Sequence, residues 1–271
     1  MSTVSSPTAD FLPSAPPKWH GDYLFVFHHL LLKDFRVRYR NMSLGVFWSL
    51  LNPLVMMGVL WFIFTRVLPN RSIPNFAAFV LCGLVPYNFF TLAWVTGATS
   101  LVENAPLIKR VPVAREIVPI ASVMSNVIHL LIQIALLITA VLLAGKGVNR
   151  YWALLPVVWG LEVVFVCGLA LMFSCLTVYI RDTRYVIESA NTVLFWLVPI
   201  FYPFSVIPQE YRDVYQYNPV AALVLASRHI LLEGTAPPAS LMIKLAISSV
   251  VVFVLGFLMF RALKRRFYDY I

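Results

Sequence analysis

The sequence predicts an all-α integral membrane protein. It has six transmembrane helices per subunit, an N-terminal amphipathic interfacial helix, and outer re-entrant helices between spans five and six. Three observations carry this. Of 271 residues, 60% are hydrophobic and 12% charged, against roughly 45–50% and about 25% in soluble domains. Apolar runs of about 20 residues, the length a helix needs to cross the hydrocarbon, recur along the chain. The basic residues behind the net charge of +9 sit in short clusters beside those runs. That pattern fits loops facing anionic headgroups, and it argues against a nucleic-acid partner.

Residues 1–20 are rich in Ser, Pro and Ala, with no basic start and no apolar run. They read as a disordered leader and not as a cleavable signal peptide. Residues 21–43 follow as an interfacial helix. In "GDYLFVFHHLLLKDFRVRYR", His29, Lys33, Arg36 and Arg40 recur at helical spacing, with Tyr23, Phe27, Leu30, Leu31 and Phe35 on or near the other face. Such a helix lies in the membrane interface. It serves as an anchor alone, or it also receives an anionic substrate. Residues 44–271 form the membrane domain, with spans expected over 46–65, 76–95, 119–144, 152–180, 190–204 and 241–260. The fifth is short and broken by Pro199 and Pro203.

Charge sets orientation. With the N-terminus inside, 14 of the 21 Lys and Arg residues fall on the inner side. The positive-inside rule then puts both termini in the cytoplasm. A fifth segment that re-entered instead of crossing would carry the C-terminal cluster "RALKRRF" outside, so the cluster argues for six crossings.

Three connecting pieces stand out. The inner loop 101–119 lies in "ENAPLIKRVPVAREIVPI" and the two residues before it, divided by Pro106, Pro112 and Pro119. It is a lever for a docked partner or an ordinary connector. "RDTRY" places Asp182 between Arg181 and Arg184, as a local ion pair or a docking point. The outer stretch 205–238 carries an Asn218-Pro219 turn, then an apolar helix of about 13 residues closed by Gly234, too short to span. Arg228, His229 and Glu233 are expected to reach the interface.

Several chemistries are missing. No GxxxxGK[ST] loop exists to cradle a nucleotide; "GKGVNR" at 145–150 has the wrong spacing. No catalytic motif and no metal-ligand spacing is found. Cys82, Cys167 and Cys175 all lie in apolar runs and read as small core residues. Glu162 is the clear intramembrane acid, either in a structural pair with Lys244 or part of an ion relay. His129 and Gln133, one turn apart, are expected to pack between helices.

The segment "LLKDFRVRYRNMSLGVFWSLLNPLVMMGVLWFIFTRV" resembles the start of ABC-2-type polysaccharide exporter permeases, the O-antigen and teichoic acid exporters. The resemblance rests on Tyr39, Arg40, Ser43, Leu44, Gly45, Trp48, Ser49, Leu50 and Pro53. "ENAPLIKRVPVAREIVPI" is similar to that family's coupling loop, "YIRDTRY" to its motif after the fourth span, and "VPIFYPFSVIPQEYRDVYQYNPV" to its fifth-span exit. The blocks fall in order over about residues 24–264.

The resemblance implies a homodimer, two copies of a separate nucleotide-binding ATPase, and a polyprenyl-pyrophosphate-linked glycan cargo. It implies a multi-pass protein of the bacterial inner or plasma membrane. This chain binds no cofactor of its own; ATP and Mg belong to the partner. The implied docking residues are Glu103, Leu107, Lys109, Arg110, Arg115, Arg181 and Asp182. Lys33, Arg36, Arg38 and Arg40 are candidates to attract the lipid pyrophosphate. Tyr87, Phe89, Phe90, Trp94, Phe195, Trp196, Phe201 and Tyr202 are candidates to line the channel, or they form a lipid-interface belt. Two alternatives stay open: an ABC-2-type exporter of a drug or lipid, and a membrane transferase acting on lipid-linked sugars. For the latter, Glu210, Asp213 and Glu233 form no recognisable active site.

Overall fold

A computed structural model describes residues 23–39, 47–67, 73–110 and 114–264. The expected leader, Arg40, the Ser43–Leu44–Gly45 motif and the distal C-terminal arginines lie outside the described residues. The described residues are helical and contain no strand.

Ten α-helices follow in order: α1 (Tyr23–Tyr39), α2 (Trp48–Phe62), α3 (Phe76–Glu103), α4 (Ala105–Arg110), α5 (Ile117–Leu143), α6 (Leu155–Tyr179), α7 (Thr183–Leu197), α8 (Gln209–Tyr217), α9 (Pro219–Arg228) and α10 (Ala239–Leu263). Wider π turns extend α2 to Val67 and α9 to Glu233, and a 3-10 turn leads into α6. Five of these stretches are long and apolar enough to cross a membrane: Trp48–Val67, Phe76–Glu103, Ile117–Leu143, Arg150–Tyr179 and Ala239–Leu263.

The fifth expected segment is not a helix over 190–204. The helix runs from Thr183 to Leu197, 15 residues, or about 22 Å at 1.5 Å per residue. It stops because Val198 turns extended and Pro199 brings no N–H to continue the ladder. The chain then runs on to Ile200, whose backbone lies where a Cβ on Gly83 of α3 would touch it. "RDTRY" is therefore the start of α7: the Asp182 carbonyl accepts from Tyr185 N at 3.0 Å.

The centre of the bundle is α3 and α6. Along their most apolar stretches 78% and 67% of residues are buried, against 11% in α2. One core joins Leu81, Leu84, Phe89, Phe90, Val166 and Leu223; a second, at the basic end, joins Leu30, Leu101, Leu171 and Phe260. The helices α6 and α10 meet backbone to backbone at Gly168 and Gly256.

Asparagines fasten the opposite end. Asn75, at a φ of 54°, starts α3 and donates through Nδ2 to Ala144 O at 3.0 Å. Asn149 Oδ1 accepts from Tyr151 N, and its Nδ2 donates to Ile230 O, both at 2.9 Å. Asn218 Oδ1 accepts from Val220 N at 3.1 Å, with Pro219 in the first helical position, where its missing N–H costs nothing. Gly234 closes the turn after α9 at a φ of 67°, which favours glycine.

Two expectations are corrected here. Lys244 does not pair with Glu162; its Nζ bonds Asp213 at 3.1 Å and Gln216 at 2.9 Å, both on α8. Glu162 is fully buried in α6, and neither of its side-chain oxygens has a hydrogen-bond partner among the described residues. Arg228 does not reach a surface: it is 4% exposed, because α9 packs into the angle between α3, α6 and α10.

Candidate functional site

At mid-height, α2, α3, α5 and α7 leave a cleft of about 430 Å3 between them. Its walls carry Ser49 and Asn52 from α2, Asn88 and Thr91 from α3, His129 and Gln133 from α5, and Asn191 from α7. Trp48, Leu92 and Val95 supply apolar wall. Polar groups inside membrane helices are costly unless they meet one another or a polar guest. Some meet one another: Gln133 Nε2 donates to Ser49 O at 3.0 Å and lies 3.0 Å from His129 Nε2. That is the interhelical packing expected for this His–Gln pair. Gln133 Oε1 and Asn191 Oδ1 are buried with no hydrogen-bond partner among the described residues.

The cleft continues along α7. A second hollow, lined by Tyr87, Thr91, Asn191, Thr192, Phe195 and Trp196, shares Thr91 and Asn191 with the first. The two make one groove, amide-rich at one end and aromatic at the other. Tyr87 OH donates to Asn191 O and pins α7 to α3. Phe195 packs edge-on to Tyr87 at 5.5 Å between ring centroids. Trp196 stands 63% exposed at the groove's edge. Beyond it, Tyr202 OH donates to Leu197 O at 2.9 Å and Trp196 O at 3.2 Å, tying off the end of α7.

Of the other aromatic candidates, Phe201 packs on Phe195 and Trp196 at 6.0 and 5.4 Å, while Phe90 and Trp94 turn elsewhere. Phe90 is buried and stacks on Phe165 of α6 at 6.0 Å, and Trp94 meets Phe173 of α6 edge-on at 5.1 Å. Both stand in the interior core. Asn52, Asn88, Thr91 and Asn191 were not singled out by sequence reasoning. Their signal was there, as amides and hydroxyls inside apolar runs. Three helices, α2, α3 and α7, had to assemble before they shared a face.

At the basic end, α1 lies along α5 with Leu30 buried against Leu101 and Val118. Lys33 Nζ donates to Asn104 Oδ1 at the end of α3 and sits 3.3 Å from Asp34. Arg36 is exposed. Arg38 lies in α1 and Arg110 in α4, but their side chains fall outside the described residues. Among the docking candidates, Glu103, Lys109, Arg181 and Asp182 are exposed. Leu107 packs against the Leu30 cluster. Arg115 Nη1 donates to Lys264 O at 3.3 Å, and Lys264 Nζ reaches Glu116 at 3.3 Å. Tyr179 OH donates to Leu263 O at 3.2 Å. The start of α5 and the ends of α6 and α10 are thus tied together. Among the described residues no group of three His, Cys, Asp or Glu is placed to hold a metal.

Known proteins resemble this chain in sequence. The family described as ABC-2 type transporter is matched over residues 26–232. The O-antigen export system permease protein RfbA of Klebsiella pneumoniae is 30% identical over 257 residues, covering 92% of this chain and 96% of that protein. The RfbA of Myxococcus xanthus is 28% identical over 82% of this chain and 86% of its own length. The polysialic acid transport protein KpsM of Escherichia coli is 24% identical over 86% of this chain and 91% of its own length. The chain belongs to the ABC-2 type transporter family.

Proposed function

We propose that this chain is the membrane-spanning subunit of an exporter that carries a bacterial surface polysaccharide across the inner or plasma membrane. The observation that carries this reading is the groove. Amides and hydroxyls exchange hydrogen bonds with sugar hydroxyls, while aromatic rings cover the C–H faces of a pyranose. Asn52, Asn88, Thr91 and Asn191 offer the first, Tyr87, Phe195 and Trp196 the second. A purely apolar drug or lipid would leave those amides unpaired, which costs free energy in a dry site. The relatives' names, O-antigen export and polysialic acid transport, support the same cargo class.

The fuller arrangement is a homodimer carrying two separate ATPase subunits, which bind ATP and Mg. Six crossings per subunit and cytoplasmic termini are supported by the charge map, with α7 and the extended segment after it as the fifth crossing. In the same reading α9 and the turn after it re-enter from the outer side. The cargo is a glycan on polyprenyl pyrophosphate, O-antigen-like or teichoic-acid-like. Arg36, with Arg38 and Arg40 beside it in sequence, attracts the pyrophosphate at the inner headgroup level. Exposed Glu103, Lys109, Arg181 and Asp182 receive the ATPase. Arg115 acts from behind them, through the end of α10.

The test replaces Asn88 and Asn191 with leucine in one variant and Trp196 with alanine in another. Membrane abundance and ATPase co-purification are checked first. Surface glycan is then measured by lectin or antibody binding. The proposal expects surface glycan to drop about tenfold in normally assembled protein, the equivalent of one or two lost hydrogen bonds. Unchanged surface glycan in both variants would count against the groove as the path.

A further inference from the structure

A second cavity lies at the opposite end of the bundle from the basic cluster, away from the groove. It is half-enclosed, about 290 Å3, between the start of α3, the chain after α7, the ends of α8 and α9, and the start of α10. Phe79, Ser205, Gln216, Arg228, His229 and Glu233 are among the residues that line it. Arg228 is the unusual member. It is 4% exposed, and its guanidinium lies 3.5 Å from the centroid of the Phe79 ring. Nη2 donates to Ile200 O at 2.6 Å. The N–H groups on Nε and Nη1 are buried and have no hydrogen-bond partner among the described residues.

A buried, half-paired guanidinium is expensive. Removing a cation from water carries a large free-energy cost, and only a counter-charge or a full set of acceptors offsets it. Arginine remains protonated even so. The acid nearest in sequence, Glu233, is occupied: its Oε2 lies 2.5 Å from His229 Nδ1. The other charges around the cavity are also engaged. Arg212 donates to the Ile207 and Ser205 carbonyls, and Lys244 pairs with Asp213 and Gln216. With Glu233 held by His229, the unpaired N–H groups of Arg228 are what the cavity offers, and they favour an anion.

We propose that this cavity is an oxyanion site, in which the free N–H groups of Arg228 hold one carboxylate or phosphate group. Two sources have that chemistry, a carboxylated sugar and the phosphodiester of an anionic lipid. The guanidinium offers donors in a planar fork that matches either, and Phe79 closes the other side. The proposal concerns equilibrium binding to the chain and does not rest on the export reading.

The experiment is a titration of the purified full-length protein in phosphatidylcholine nanodiscs. The probes are sodium glucuronate against glucose, and dihexanoyl phosphatidylglycerol against dihexanoyl phosphatidylcholine. Saturable binding of an anion, and not of its neutral or zwitterionic counterpart, is expected. The anion that binds more tightly identifies the source. Arg228→Gln should weaken it about tenfold or more. Glu233→Gln removes a negative charge that lines the cavity while leaving the Arg228 side chain in place, and should tighten binding severalfold, so it decides the matter if Arg228→Gln fails to fold. The proposal is overturned if neither anion binds better than its control. It is also overturned if Arg228→Gln folds and binds as well as the parent protein, or if Glu233→Gln leaves affinity unchanged.

Discussion

Gly168→Ala should loosen the crossing of α6 and α10. A Cβ built on Gly168 would lie 2.6 Å from both Phe253 Cα and Phe253 N, and 2.7 Å from Val252 C, all backbone atoms of α10. Ordinary contact begins near 3.4 Å, so the helices must separate by about 0.8 Å. No side chain can swing aside to absorb this. Overpacking of this kind costs about 1–3 kcal/mol, and the better helix propensity of alanine returns up to about 1 kcal/mol. Gly58→Ala and Gly160→Ala are matched controls, because a Cβ there meets nothing within 4 Å. The difference between Gly168→Ala and these controls isolates the steric cost. The assay is the fraction of intact protein surviving a heat series in mild detergent, read by size exclusion. At roughly 2–4 °C per kcal/mol for a chain of this size, the midpoint should fall about 2–12 °C below the controls. Equal midpoints would refute the close crossing.

Other consequences follow from the ties at each end of the bundle. Tyr202→Phe removes the hydroxyl that bonds Trp196 O and Leu197 O, and should cost about 1 kcal/mol, measured in the same heat series. A double-mutant cycle on Lys264 and Glu116, which are 38% and 30% exposed, should give a coupling under about 1 kcal/mol that fades with salt. Single cysteines at Val148 and Val214 should react with a membrane-impermeant maleimide on intact cells. Cysteines at Val37 and Tyr185 should react only after permeabilisation. Cys82, Cys167 and Cys175 are buried and should add little background; labelling of all four positions from one side would contradict the crossings.

The spans were legible because lipid imposes a single-sequence rule, about 20 apolar residues in a row. Their limits were less so, because hydrogen bonding continues a helix past the apolar run. The second span was expected to stop at Val95, yet α3 continues through "TGATSLVE" to Glu103. Hydropathy also misplaced α7, since its first turns are polar and its apolar tail lies beyond the Leu197 break. The helix α8, "QEYRDVYQY", has no span-like run and was missed. Lys33 shows the limit for side chains. The pattern put it on a basic face, but nothing in α1 announced that Asn104, 71 residues on, would accept its ammonium. The groove and the Arg228 cavity share that limit, because each is lined from several helices far apart in sequence.

The most direct test of the account is depletion of this chain in its native host, with the glycan assayed by lectin on intact cells and again after permeabilisation. The account predicts loss of surface glycan and its accumulation inside, restored by the parent gene. Unchanged surface glycan, with nothing retained inside, would contradict export of a polysaccharide through this protein.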